Sequence, residues 1–390
     1  MPIEKVLFSS ESVSEGHPDK VCDQIADAIL DATLALDPKA HVACEVFATE
    51  EFLLIGGEIT AEKAPDYEKI ARDTLRKIGY VSPELGMGAD TCKVLVKVNT
   101  QSPDIAMGVD RGDPLAQGAG DQGIMFGYAT AESEGYMPLP ISMAHKLVRL
   151  ATLKRKEGEF KGARPDMKSQ VTMDYTDPSS PKLDTVLMSI QHDPDVDMDA
   201  FKTYVKNEIM IPTALSFGLN ADFKVLVNPT GRFVIGGPKG DTGLTGRKLI
   251  VDTYGGSSRH GGGAFSGKDP SKVDRSASYY ARYIAKNLVA AGAAKRLEIQ
   301  LCYAIGVPEP ISIGLATFGT KNYDDAVILE AIHAFFDARP GAIIAQFGLT
   351  KPSFRYADTC NYGCFGRPDL DLPWEKLDKV DALKAFFASK

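Results

Sequence analysis

In "PDKVCDQIADAILDATLALDP" (18–38), apolar residues recur at Val21, Ile25, Ala28, Ile29, Ala32 and Leu36. Spacings of three and four put them on one stripe of a helix. Pro18 suits the first turn, and Asp37-Pro38 ends the helix. The same reading predicts helices over 64–79, 140–158, 198–215, 270–292 and 322–340. Runs with strand alternation predict two strands or a hairpin over 40–60. Further strands are predicted at 91–100, 124–130, 171–175, 185–193, 246–256, 296–306 and 311–319, with a strand pair around a turn at 223–241.

Strands and helices are interspersed, yet strands often come in adjacent pairs. That favours an α+β fold with antiparallel pairs over an alternating doubly wound sheet. A length of 390 residues suggests two or three domains. The pattern stops at "QSPDIAMGVDRGDPLAQGAGDQG" (101–123), which has few apolar anchors. A loop of that length in a compact domain is usually functional or disordered. It reads as a mobile active-site lid, with a plain linker between domains as the alternative.

Composition changes this little: 44% hydrophobic and 25% charged residues are ordinary for a globular protein. A net charge of −8 argues against nucleic-acid and anionic-membrane partners. A small anion remains possible, since its site needs only a local cluster of cations. Six scattered cysteines make a disulfide framework improbable, and Cys360 and Cys364 have no second pair with which to hold zinc. The opening residues lack the apolar core of a signal peptide, and no apolar run approaches membrane-spanning length. The expected location is the cytoplasm.

Chemistry concentrates in glycine-rich stretches. "HGGGAFSGKDPSKVDRS" (260–276) carries Gly262, Gly267 and Lys268 in the register of a phosphate loop, but Asp269 stands where Ser or Thr would hold magnesium. Asp269-Pro270 reads as a helix start, with Asp as cap, Lys268 before it and Lys272 in the first turn. Glycines and the free N–H groups of a helix start suit an anion, and Asp274 could take a metal. "EGHPDK" (15–20) is built alike, from Gly16, His17, Pro18, Asp19 and Lys20. Each box alone is also read as an ordinary cap; together they could grip one polyphosphate from two sides. "GAGDQG" (118–123) holds Asp121, "GGPKGDTGLTGRK" (236–248) ends in Arg247-Lys248, and "RPDMKSQ" (164–170) offers Arg164 and Lys168. Their bland alternatives are a hairpin turn, a solvated loop and a surface turn.

Taken together, "SESVSEGHPDK", "QGAGDQG", "NPTGRFVIGGPKGDTGLTGRK" and "GGGAFSGKDPSKVDRS" resemble the S-adenosylmethionine synthetase family, from about Phe8 to "FGRPDLDLPWEK". The resemblance implies three similar α+β domains with mixed, largely antiparallel sheets and intertwined order, here 3–101, 124–234 and 235–390, with 102–123 a mobile active-site loop. It implies attack of methionine sulfur on C5′ of ATP, expulsion of tripolyphosphate, and hydrolysis of that chain to phosphate and pyrophosphate. His17, Lys168, Arg247 and Lys268 would be catalytic, and these with Lys248 and Lys272 are the candidate cations for the tripolyphosphate. ATP would be held by these with Asp166, Arg232, Phe233, Asp241, Lys248 and Ala264. Methionine would meet Glu58, Gln101, Asp121, Asp241 and Lys272. Asp19 and Asp274 would bind two magnesium ions and Glu45 potassium. Active sites shared within a homodimer, in a dimer of dimers, are implied as well.

Some positions depart from the family pattern: "FKGA" (160–163) replaces an apolar run, Met167 a small residue, and Cys364 the histidine of "YGHFGR". Two other readings compete. One is a phosphotransferase with a variant phosphate loop, opposed by Asp269 and by the lack of a strand-ending Walker aspartate. The other is a non-catalytic nucleotide-binding partner, opposed by the intact set of matched positions.

Overall fold

The computed structural model describes residues 4–100, 115 and 117–390. Gln101 and most of the expected mobile loop, 102–114 and 116, lie outside the described residues.

The strands are β1 (Leu7–Val13), β2 (His41–Thr49), β3 (Phe52–Thr60), the two-residue pair β4 (Val81–Ser82) and β5 (Met87–Gly88), β6 (Lys93–Asn99), β7 (Gly123–Thr130), β8 (Ala163–Asp174), β9 (Lys182–His192), β10 (Lys224–Val227), β11 (Gly243–Leu244), β12 (Arg296–Tyr303) and β13 (Ser312–Ala316). The helices used below are α1 (Pro18–Leu36), α2 (Tyr67–Ile78), α3 (Leu139–Lys156), α4 (Met198–Tyr204), α5 (Ile211–Ser216), α6 (Leu249–Asp252) and α7 (Val273–Ala290). A wider π-helical turn, Val205–Met210, joins α4 to α5.

Three main sheets form, in strand orders β1-β8-β9-β10, β11-β2-β3-β6 and β13-β12-β7. Most pairs are antiparallel; β3–β6 and β9–β10 are parallel. The α+β expectation therefore holds. None of the three sheets is built from one continuous stretch of chain. β1 joins strands from 163–227, β7 joins strands from 296–316, and β11 closes a sheet otherwise made by 41–99. The first sheet has its own core, with Leu147, Met167, Met188 and Ile209. The other two share one, running from Ile25 and Leu53 to Tyr280 and Trp374.

Two strand expectations fail. Residues 246–256 are not a strand: the Asp252 N–H reaches the Lys248 carbonyl at 2.8 Å and forms the short helix α6. The predicted strand pair at 223–241 is a single strand, because Asn228 turns to φ 43° and is followed by Pro229. The Asn228 amide then stands in for backbone, bonding the N–H and carbonyl of Ile190 at 2.7 and 2.9 Å.

Candidate active site

Two glycine-rich loops lie side by side against one strand edge and one helix face. Along β2, Thr245 N–H meets the Val46 carbonyl at 3.0 Å, Cys44 N–H meets the Gly267 carbonyl at 2.9 Å, and Val42 N–H meets Asp269 Oδ2 at 2.6 Å. On α1, carboxylates recur every four residues, so they share one face. Asp19 accepts from Leu244 N–H at 3.0 Å, Asp23 from Gly246 N–H at 2.9 Å, and Asp27 from Gly267 N–H at 2.8 Å. Asp31 continues the row, accepting from Tyr356 N–H at 2.8 Å and Ala357 N–H at 3.0 Å. From Asp19 to Asp27 is about 12 Å along the helix. From Phe47, which pairs with Leu244, to Ala43, which pairs with Lys268, is about 13 Å along the strand. Helix and strand thus set the same spacing for the two loops. Close approach demands glycine here: a Cβ on Gly267, at φ 79°, would lie 2.0 Å from the Cys44 carbonyl oxygen.

The first loop joins the box at 15–20. His17 caps α1, its Nδ1 accepting from Asp19 N–H at 3.1 Å. Lys248 Nζ lies 2.6 Å from Asp19 Oδ2, and Arg247 Nε 3.5 Å from Oδ1. Burial would raise the Asp19 carboxyl, but the Lys248 and Leu244 hydrogen bonds hold it below the usual range. His17 was expected among the cations. Its burial, helped by the Lys248 charge, pushes its pKa down to about 3, so the ring is neutral. Lys168, exposed on β8, is close enough to add to that push. Asp166 is buried, accepts from Gly237 N–H at 2.9 Å and leaves Oδ1 without a partner. Burial raises its pKa to about 6. Asp241 lies near enough to Asp166 to add to that rise and is itself exposed, receiving Thr242 N–H at 2.9 Å. Arg232 is exposed; Phe233 is half-buried, its N–H donating to His192 Nε2 at 3.0 Å. Arg164, by contrast, is committed to Asp193 at 2.8 Å and to the Glu84 carbonyl at 2.6 Å.

The second loop carries Lys268, 2.7 Å from Asp274, and Lys272, 2.5 Å from Asp269. Asp269-Pro270 does not start the helix. Asp269 spends its carboxylate on Val42 N–H, Ser271 N–H and Lys272, so α7 begins one turn later, with Lys272 at the cap position. Asp274 then falls in the first turn of α7. Ala264 packs where a Cβ on Gly246 would stand, tying this loop to the first. Glu45 and Glu58 lie exposed on the outer face of the β2–β3 hairpin, beside the Lys268 bridge to Ala43. Asp121 is exposed and caps Gln122 N–H at 2.8 Å; two residues on, a Cβ on Gly123 would lie 3.7 Å from Asp274 Oδ1.

So the box at 15–20 gathers His17, Asp19, Lys168, Arg247 and Lys248, and the box at 260–276 gathers Lys268, Lys272, Asp274 and Glu45. Among the described residues, no three His, Cys, Asp or Glu side chains converge into a metal cage. Asp19 and Asp274 instead each offer one carboxylate already paired with a lysine. That donor set fits magnesium, which is commonly held by one or two carboxylates together with substrate phosphates. The site also rests on Asp23, Asp27 and Arg275, none of which stood out from the sequence. Arg275 grips both oxygens of Asp27 at 2.7 and 2.8 Å and reaches the Lys268 carbonyl at 3.2 Å. The signal was the four-residue period of Asp19, Asp23, Asp27 and Asp31, running beside the apolar stripe.

Residues 5–103 match the N-terminal domain of S-adenosylmethionine synthetase, 116–233 its central domain and 235–376 its C-terminal domain. The chain is 62% identical over 378 residues to the S-adenosylmethionine synthase of Mesoplasma florum, covering 97% of this chain and 99% of that one. It is 52% identical over 391 residues to that of Clostridium botulinum, covering 98% and 100%. Matched in all three domains and nearly end to end, the chain belongs to the S-adenosylmethionine synthetase family, the methionine adenosyltransferases.

Proposed function

We propose that the protein makes S-adenosylmethionine from ATP, L-methionine and water, releasing phosphate and pyrophosphate. The observation that carries this reading is the pair of cation-bearing loops seated in parallel by β2 and α1. A thioether is a neutral nucleophile with no proton to lose. Its attack on C5′ is helped only by in-line placement and by stabilising the charge that develops on the leaving triphosphate. The C5′–O bond breaks as the S–C5′ bond forms, and the electron pair leaves with tripolyphosphate. Water then attacks a phosphorus of that chain.

His17 suits the first step. With Nδ1 accepting from Asp19 N–H, Nε2 carries the ring proton and can donate to a phosphate oxygen without adding a charge. Lys168, Arg247, Lys248 and Lys268 supply positive charge, and Lys272 lies between the phosphates and methionine. Asp166, Arg232, Phe233, Asp241 and Ala264 frame the nucleotide; Glu58, Gln101 and Asp121 frame methionine. Asp19 and Asp274 would hold two magnesium ions, which when bound screen the triphosphate charge, and Glu45 would hold potassium. A second copy of the chain completes the site in a homodimer, itself pairing into a dimer of dimers. An apolar row on the outer sheet face, Leu244, Phe47, Leu54 and Leu95 on adjoining strands, supports that reading, because it leaves Leu244 and Leu95 exposed on the same face as Glu45 and Glu58. No described helix is long and apolar enough to cross a membrane. All six cysteines are free, which fits a reducing cytoplasm.

The test is incubation with ATP and methionine, with magnesium and potassium present or withheld. S-adenosylmethionine, phosphate and pyrophosphate should form together, in equal amounts and only with methionine present, and withholding either ion should slow turnover. Accumulation of ADP would favour a phosphotransferase, and no turnover at all a binding partner.

A further inference from the structure

Behind the first loop, three ionisable side chains are sealed from solvent. Lys20 Nζ sits 3.0 Å from Asp23 Oδ2 and also bonds Asp252; all three residues are buried. Two carboxylates share one ammonium. Burial raises both carboxyl pKa values, that of Asp252 to about 7, against the pull of Lys20. A buried polar cluster of this kind is a poor stabiliser, and packed apolar side chains would do as well or better. Its connections suggest another use. Asp23 Oδ1 receives the Gly246 N–H at 2.9 Å, and the backbone of Asp252 holds the Lys248 carbonyl at 2.8 Å. Lys20 therefore ties the two ends of the turn that carries Arg247 and Lys248. Gly246 is at φ 75°, a conformation that a fixed N–H helps to maintain.

We propose that Asp23 is a positioning residue of the reaction: through the Gly246 N–H it fixes where Arg247 and Lys248 stand relative to the leaving triphosphate. This rests on the reading that those two cations grip the triphosphate. Asp23 is closed off behind the loop and works only through the turn. Misplacing a charge by about an ångström can cost on the order of 10²-fold in rate.

The experiment compares Asp23→Asn, Asp23→Ala and Lys248→Ala with the parent, measuring kcat, KM for ATP and melting temperature. Both Asp23 variants remove the charge; only Ala removes the acceptor for Gly246. Asp23→Ala is expected to lose about tenfold or more in kcat, with a smaller change in KM, while Asp23→Asn stays within about threefold. Equal kcat in the two variants, whether both full or both low, would overturn the proposal. If Asp23→Ala is not recovered folded, Asp23→Ser replaces it; its hydroxyl is too short for Gly246, and the same loss is expected. Full activity of Lys248→Ala would instead strike the reading beneath, whatever Asp23 does.

Discussion

A histidine at a helix start can serve as a cap, as a cation or as a neutral donor, and its surroundings decide which. At His17 the cap uses Nδ1, and burial beside Lys248 keeps the ring neutral down to about pH 3. In the free protein, then, kcat/KM should show no acid limb near 6.5 from this residue. Asn at this position retains the cap, since its oxygen can take the place of Nδ1, but loses the Nε2 donor. His17→Asn should lower kcat by about 10²-fold, the cost of one transition-state donor, and leave the shape of the pH profile unchanged. An ionisation near 6.5 in the parent that vanishes in the variant would refute the neutral ring. "EGHPDK" was legible as a helix start with chemistry attached, because capping is local. The charge state of His17 was not, because it depends on Lys248, brought in from a distant part of the chain.

At the scale of elements, α1 is more than an amphipathic helix: its aspartates hold both loops. Asp27 and Arg275 form a buried pair with both oxygens engaged, and Arg275 also stacks over Tyr356 at 4.3 Å. Asp27→Asn leaves a buried guanidinium without its counter-charge, and should cost about 3–5 kcal/mol. Asp31→Asn removes no such ion pair; its nearest cation, Arg355, is 3.8 Å away and exposed. It should cost far less. The apparent urea midpoints of the two variants settle the order, and equal losses would show that the row acts as simple caps. Hairpins, long helices and the glycine loops could be read from local pattern. Residues 246–256 could not: "LIV" inside it is a short apolar run, which suits a strand or one helical turn equally. Nor could the true start of α7, because Asp269 is drawn to β2 by a contact between segments far apart in sequence.

At the scale of the whole molecule, pairings such as β1 with β8 and β7 with β12 bring distant segments into shared sheets, and no local periodicity encodes them. His145 sits at one such junction. It belongs to α3, its Nδ1 meets Ser12 Oγ of β1 at 2.8 Å, and its Nε2 is buried without a partner, close to Gly363 of the C-terminal segment. Burial, with Arg367 and then Lys20 adding to it, lowers its pKa from 6.5 to about 3. The native state thus refuses a proton that the unfolded chain accepts. Its contribution is complete above about pH 6.5 and is lost as pH falls toward 3. Between pH 7 and pH 5 the loss is about 2 kcal/mol, from about 1.4 kcal/mol per pKa unit. Asp31 and Asp166, raised to about 6, and Asp252, raised to about 7, act in the opposite sense, because the native state binds their protons more tightly. The total pH dependence therefore mixes the two signs, and a difference between variants isolates one. His145→Asn retains a partner for Ser12 and removes the titration. It should be less stable than the parent at pH 7, through lost packing, yet lose about 2 kcal/mol less on going to pH 5. Urea midpoints at the two pH values, for both proteins, give that difference directly. An identical pH 7 to pH 5 loss in parent and variant would mean that His145 takes up its proton without opening the junction it seals.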